Sequence, residues 1–228
     1  MKWVRVQLGF EGLFAVDPIG RSVGIALLWK ERDQAKLISF SQNHIDVEVM
    51  IEGMNKWRLS GVYGEPNRGK KHKTWDLLQY LARDSNLTWC VMGDLNNVTS
   101  ATDKIGGLLY PQWLIDGFND ALQDAGLIDM NIVGHQYTWE RGVGMDKWME
   151  VRLDRALTTS AWLNEFSVAK LYNLEGVASY HSPILLVPKQ VSKTNYMPRF
   201  RFENAWCLDP MCAQLVQDGW DNESGINI

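Results

Sequence analysis

The sequence predicts a mixed α/β domain built in layers, and three observations carry that expectation. Apolar or alternating runs of strand length dominate residues 22 to 64, the period turns helical from Lys73, and strand signals then return between helices. Many strands interrupted by a few helices read as sheets covered by helical layers. The 228 residues suffice for a sizeable core, and 46% hydrophobic against 22% charged residues, with 11 tryptophans, excludes a disordered chain.

The elements follow in order. "SVGIALLWK" (22–30) is an apolar run bounded by glycine and charge, which suits a buried strand. "HIDVEVMI" (44–51) alternates strictly, with Ile45, Val47, Val49 and Ile51 on one face and His44, Asp46, Glu48 and Met50 on the other. "KWRLSGVYG" follows a Gly-Met-Asn turn, so residues 22 to 64 are expected to form antiparallel strands joined by short turns. Trp75, Leu78 and Ala82 then fall at helical spacing, widened by Leu77 and Leu81. "TWCVMGD" (88–94) reads as a strand. Pro111 opens a second helix with Leu114, Phe118, Leu122 and Ala125 on one side, and Gly126 stops it. Further strands are expected at 136–139, 147–154, 168–172 and 183–188, with a short helix at Ala161–Phe166. There is no internal repeat, and the expected division is one domain over 1–190 and a carboxy-terminal extension or linker over 191–228.

A net charge of −4 argues against coating nucleic acid by bulk charge, so any phosphate binding must be local. Cys90, Cys207 and Cys212 have no zinc-ligand spacing and read as free thiols of a reducing compartment. The start lacks the apolar stretch of a signal peptide and "GIALLW" is too short to cross a bilayer. The expectation is an intracellular protein, nuclear or cytoplasmic, with no membrane partner.

Four stretches carry chemistry. In "GDLNN" a strand would place Asp94 and Asn96 on one face, oxygen donors that suit Mg²⁺, although the same residues are ordinary turn formers. "WMEVRLDRAL" would turn Glu150, Arg152 and Asp154 to one side, where an Arg–Asp ion pair is the plain structural reading. "SYHSPILLV" sets His181 before an apolar strand, as a base, as a partner of phosphate, or as a histidine hydrogen-bonded in place. "GVYGEPNRGKKHK" puts Tyr63 at a strand end, followed by Arg68, Lys70, Lys71 and Lys73, a solvated loop or a set of phosphate contacts.

The succession "GVYGEP", "GDLNN", "VRLDRAL" and "HSPILL" resembles the endonuclease/exonuclease/phosphatase superfamily, whose members cleave phosphoesters with Mg²⁺. It looks closest to the endonuclease-like domain of plant non-LTR retrotransposons of the LINE type, which also have counterparts of "GDLNNVTSATDKIGG", "YTWERG" and "FRFENAW". The resemblance implies a four-layer α/β sandwich of two mixed sheets flanked by helices, with DNA as substrate and a downstream reverse transcriptase in a full-length element. It also implies roles. Tyr63 would contact the scissile phosphate, Asp94 would orient or deprotonate water and bind Mg²⁺ (or Mn²⁺), and Asn96 would lie beside the phosphate. Asp154 would be the structural or catalytic aspartate of the later strand, and His181 would stabilise the pentacovalent phosphate.

Two departures accompany the resemblance. The final family motif is Ser-Asp-His, whereas this chain reads Ser179-Tyr180-His181, and a phenol with a pKa of about 10 is neutral at pH 7. The family also opens with strands carrying a metal-binding asparagine and glutamate, and the resemblance begins after both, with Glu11 in the wrong context to substitute. The expectation is therefore a copy lacking the first strands, truncated or degenerate. A Mg²⁺-dependent phosphodiesterase of retroelement origin is the leading reading. The alternatives are a catalytically inactive remnant that binds nucleic acid weakly and a phosphoesterase for small molecules.

Overall fold

In the computed structural model, which describes residues 2–17, 24–83, 86–142, 148–174 and 179–188, the chain opens with α1 (Lys2–Gln7) and the strands β1 (Gly12–Val16) and β2 (Ile25–Trp29). Next come β3 (Ala35–Ser41), β4 (His44–Val49), β5 (Trp57–Val62), α2 (His72–Ala82) and β6 (Trp89–Asp94). β7 (Lys104–Ile105), α3 (Gln112–Asp124), β8 (Leu127–Asp129), β9 (Ile132–Val133) and β10 (Trp139–Arg141) follow. β11 (Met149–Val151), β12 (Asp154–Thr159), α4 (Ser160–Glu165), β13 (Lys170–Asn173) and β14 (Ile184–Val187) complete the described elements. Cys207, Cys212 and the expected extension over 191–228 lie outside the described residues.

The centre is a six-stranded mixed sheet in the order β3-β4-β5-β6-β12-β8, antiparallel except for the parallel pair β5 and β6. That parallel step is what brings the ends of β5 and β6 to the same rim, joined by α2 as a crossover. Alternation in β4 sorts the two faces. Ile45, Val47 and Val49 enter a core with Trp57, Cys90, Ala156, Trp162 and Leu171, on the side that also receives Phe14, Ile25, Leu27, Ile184 and Leu186. On the opposite side, Leu78 and Leu81 of α2 pack with Phe118 and Leu122 of α3 over Val91 and Leu157. Each such fully buried side chain contributes roughly 1.5–3 kcal/mol of transfer free energy. Burial also pushes the Cys90 thiol above its ordinary range, consistent with a core position.

The helices match their sequence signals: α3 ends at Asp124, and Gly126 takes φ 64°, the left-handed stop expected after the last apolar position. Three expectations change. β2 does not join the antiparallel run to residue 64; it pairs with β1 to form a separate two-stranded sheet. The expected strand at 147–154 is interrupted at residues 152 and 153, so β11 pairs with β10 and β7 while β12 enters the central sheet. That break resets the alternation, and Arg152 therefore pairs with Asp129 at 3.1 Å instead of sharing a face with Asp154. The strand expected at 136–139 starts at Trp139 instead. The layer facing β4 and β5 consists of two pieces, β1-β2 and β14-β13-β9.

Candidate active site

Two glycines let the strand ends converge. A Cβ on Gly64 would lie 2.0 Å from the Leu95 carbonyl oxygen, and one on Gly93, at φ 142°, would lie 2.1 Å from the Val62 oxygen. The Gly64 amide instead donates to the Asp94 carbonyl oxygen at 2.7 Å. Tyr63, one residue past β5, and Asp94, the last residue of β6, thus share one rim. Asp154 is directly opposite Asp94 in the antiparallel β6–β12 register. His181 reaches the same place from the segment before β14, through a bridge to Trp139.

Asn96 joins Asp94 by a different route from strand alternation. Its φ of 52° is left-handed, and its amide donates to Asp94 Oδ1 at 2.9 Å, an Asx turn. The Asn96 side-chain nitrogen then donates to Asp94 Oδ2 and to the Gly64 carbonyl, both at 3.0 Å. Turn chemistry and co-location of the two oxygen donors are therefore the same event. Behind the turn, the fully buried Arg155 donates to Asp103 at 2.5 Å, to Asp129, and to the Asn97 carbonyl at 3.3 Å. Asp103 closes the loop by accepting from the amides of Thr99 at 2.8 Å and Ser100 at 3.1 Å. A desolvated guanidinium needs this full set of acceptors.

The charges interact closely. His181 Nδ1 and Asp154 Oδ2 are 2.9 Å apart, and His181 Nε2 lies 3.9 Å from Asp94 Oδ2. The hydrogen bond to Asp154 raises the His181 pKa, against burial and with help from the charges of Asp154 and Asp94. Burial, reinforced by the Asp154 charge, pushes Asp94 up to about 6, and His181, the Asn96 amide and Lys71 pull the other way. Burial likewise lowers Lys71 to about 8, opposed by Asp94 and Glu65. Tyr63 is raised by burial and by Asp94, with Asn96 as its hydrogen-bonding neighbour.

The structure thus gathers Tyr63, Asp94, Asn96, Asp154 and His181, together with Lys71, whose ammonium donates to the Asn96 carbonyl. It does not gather the rest of the basic run: Lys70 and Lys73 are exposed, and the exposed Arg68 sits over the Tyr110 ring at 5.9 Å. Tyr180 stands where the family motif has an acid. Its side chain is 70% exposed, and the acid that holds His181 is Asp154. Arg155, Asp103 and Asp129, which hold the loop, carry no local signal in the sequence, because the pairing residues are 26 and 52 positions away from Arg155.

Among the described residues, no group of three or more histidine, cysteine or acidic side chains is arranged to hold a metal ion. Asp154 Oδ2 is bonded to His181 and both Asp94 oxygens accept from Asn96, so Asp94 would offer a hard cation only its remaining lone pairs. That is a partial ligand set, compatible with Mg²⁺ only where substrate phosphate and water complete it. No helix among the described residues is long and apolar enough to cross a membrane.

The fold has counterparts among solved structures. The endonuclease domain of TRAS1, a telomere-specific non-LTR retrotransposon, superposes with a TM-score of 0.59 at 16% identity, covering 77% of this chain and 78% of that one. An endonuclease/exonuclease/phosphatase family protein from Leptotrichia buccalis gives a TM-score of 0.54 at 16% identity, covering 80% of this chain and 75% of its own. No protein-family model matches the sequence, and no curated protein matches it. The chain has the mixed α/β fold of endonuclease/exonuclease/phosphatase proteins.

Proposed function

We propose that this chain is a phosphodiester-hydrolase domain acting on DNA, of retroelement origin within the endonuclease/exonuclease/phosphatase superfamily. The observation that carries the reading is the convergence of Asp94, Asp154 and His181, with Lys71 and Tyr63 around them, at the rim where β5 and β6 end and β12 begins. With a midpoint near 6, Asp94 is ionised at neutral pH yet more basic than an ordinary carboxylate, which suits orienting and deprotonating water. His181, held by Asp154 and raised in pKa, presents Nε2 toward Asp94 and can donate to an oxygen that gains charge as water attacks. Lys71 supplies a positive charge where bulk charge is absent, and the Tyr63 phenol supplies a donor to phosphate. A Mg²⁺ or Mn²⁺ ion, if bound, would be held by Asp94 and the substrate phosphate and would supply Lewis-acid stabilisation.

The test is nicking of supercoiled plasmid with Mg²⁺ and with EDTA, comparing the chain with Asp94→Ala and His181→Ala. Metal-dependent nicking lost in both variants is the expected result. The partial ligand set favours one other reading, a domain that binds DNA without cleaving it. Equal, negligible nicking by three folded samples that still shift DNA in a gel would replace the first reading with this one. Turnover of a small phosphomonoester panel without nicking would replace both.

A further inference from the structure

Thr138, in the segment "YTWERG", is fully buried and takes no part in the chemistry proposed above. Its backbone joins two segments. The Thr138 amide donates to the Val151 carbonyl at 3.1 Å, and the Thr138 carbonyl accepts from the Ser182 amide at 2.7 Å. Its side chain adds two more bonds, because Oγ1 accepts from the amides of Leu153 at 3.1 Å and Asp154 at 2.9 Å. A hydroxyl oxygen has two lone pairs, so this one is fully used as an acceptor.

These bonds fall where the chain changes sheets. β11 ends at Val151 and β12 begins at Asp154, so the amides between them leave one ladder before the next is complete. Buried amides need acceptors off the ladder. The Arg152 amide finds the Asp103 carbonyl at 2.8 Å, and the next two amides share the Thr138 hydroxyl. On the other side, the bridge from Trp139 to His181 continues through Ser182 to the Thr138 carbonyl. Thr138 therefore touches the backbone of Asp154 and of the residue next to His181, whose side chains meet at 2.9 Å.

We infer that Thr138 is a positioning residue: its hydroxyl seats the Asp154 backbone and its carbonyl seats Ser182, so that Asp154 holds His181 Nδ1 and Nε2 turns toward Asp94. This deepens the hydrolase reading by naming what sets its acid–histidine pair, and it can be tested without turnover. Thr138→Val keeps the shape and the backbone bonds but leaves two buried amides without an acceptor, whereas Thr138→Ser keeps the acceptor. Thr158→Val is the control, since Thr158 is equally buried in β12 and its hydroxyl has no hydrogen-bond partner among the described residues.

The readout is the tautomer of neutral His181, from imidazole nitrogen resonances of the full chain at about pH 9 in EDTA without DNA. In the original chain Asp154 should hold the proton on Nδ1. Thr138→Val should shift the population toward the Nε2–H form and speed exchange of the Asp154 amide at least about tenfold, while Thr138→Ser and Thr158→Val should change neither. A folded Thr138→Val with the original tautomer overturns the inference, and so does the same shift in Thr158→Val, which would indicate general loosening of β12. Should Thr138→Val fail to fold, the original chain decides: Leu153 and Asp154 amides protected at least about a hundredfold support the inference, and open-chain exchange overturns it. Plasmid nicking is scored separately. The expected tautomer shift in a chain that does not nick would refute the hydrolase reading alone, and nicking with an unmoved tautomer in Thr138→Val would refute this inference alone.

Discussion

Asp94 should destabilise the protein it serves. Its midpoint moves from an ordinary 3.8 to about 6 because ionising it beside Asp154 in a buried site is unfavourable, a change worth about 3 kcal/mol. The sign follows from proton uptake. Between about pH 4 and 6 the folded chain holds a proton that the unfolded chain has released, so this contribution to stability is present below about 4 and lost as pH rises through about 6. His181 acts in the same direction, since its raised pKa gives stability that is full below 6.5 and lost above the folded value. Asp94→Asn isolates the first effect. The amide keeps an acceptor for the Asn96 backbone but loses the second, which costs about 1 kcal/mol. At pH 8 in EDTA the variant is expected to be about 1–2 kcal/mol more stable by urea unfolding, or roughly 3–6 °C higher in Tm. At pH 4 the advantage should vanish. Adding Mg²⁺ at pH 8 should then stabilise the original chain and not the variant. A variant that is less stable at pH 8, or a difference independent of pH, would refute the reasoning.

Other perturbations test the remaining contacts. Asp154→Asn should lower the His181 pKa, read from the imidazole resonances in an NMR titration, because its hydrogen bond is the main cause of the rise. Lys71→Met should weaken DNA binding about tenfold, more than Lys70→Met or Lys73→Met, and binding by the original chain should weaken above pH 8 as the Lys71 ammonium is neutralised. Arg155→Met strands Asp103 and Asp129 in the interior and should cost about 3–5 kcal/mol in denaturant unfolding. Tyr180→Asp should leave plasmid nicking within about twofold, since the phenol is solvent-facing and His181 already has its acid; a large gain would mean that residue 180 acts in the site.

The sequence was most legible where the physics is local. Helical spacing located α2 and α3, and Gly126 marked the end of α3, because both signals lie within one or two turns of the residues they describe. β4 was legible for the same reason, its alternate residues facing two buried layers. The β1–β2 pairing was not, since residues 12–16 alternate poorly and the partner lies across a connection of eight residues. Arg155 shows the limit more sharply. Unbroken alternation would put Arg152 and Arg155 on opposite faces, yet the strand break at 152–153 brings both guanidiniums to Asp129, and of the two Arg155 alone is fully buried.

The same distinction explains why the site residues came together and where His181 finds its acid. Reading Asp94 and Asn96 as a pair needed only their spacing, and both a strand and an Asx turn satisfy it, so the inference survived an incorrect route. The family motif puts an acid next to the histidine, at the position of Tyr180. In the folded chain that acid comes from Asp154, 27 positions earlier, because the β6–β12 register places Asp154 opposite Asp94 and the Trp139 bridge delivers His181 to both. Charge at this rim is set by strand register, which tolerates replacement of a solvent-facing neighbour. A substitution that shifts the register, such as a side chain at Gly93 against the Val62 carbonyl, should damage the Asp94–Asp154–His181 arrangement more than any change at Tyr180.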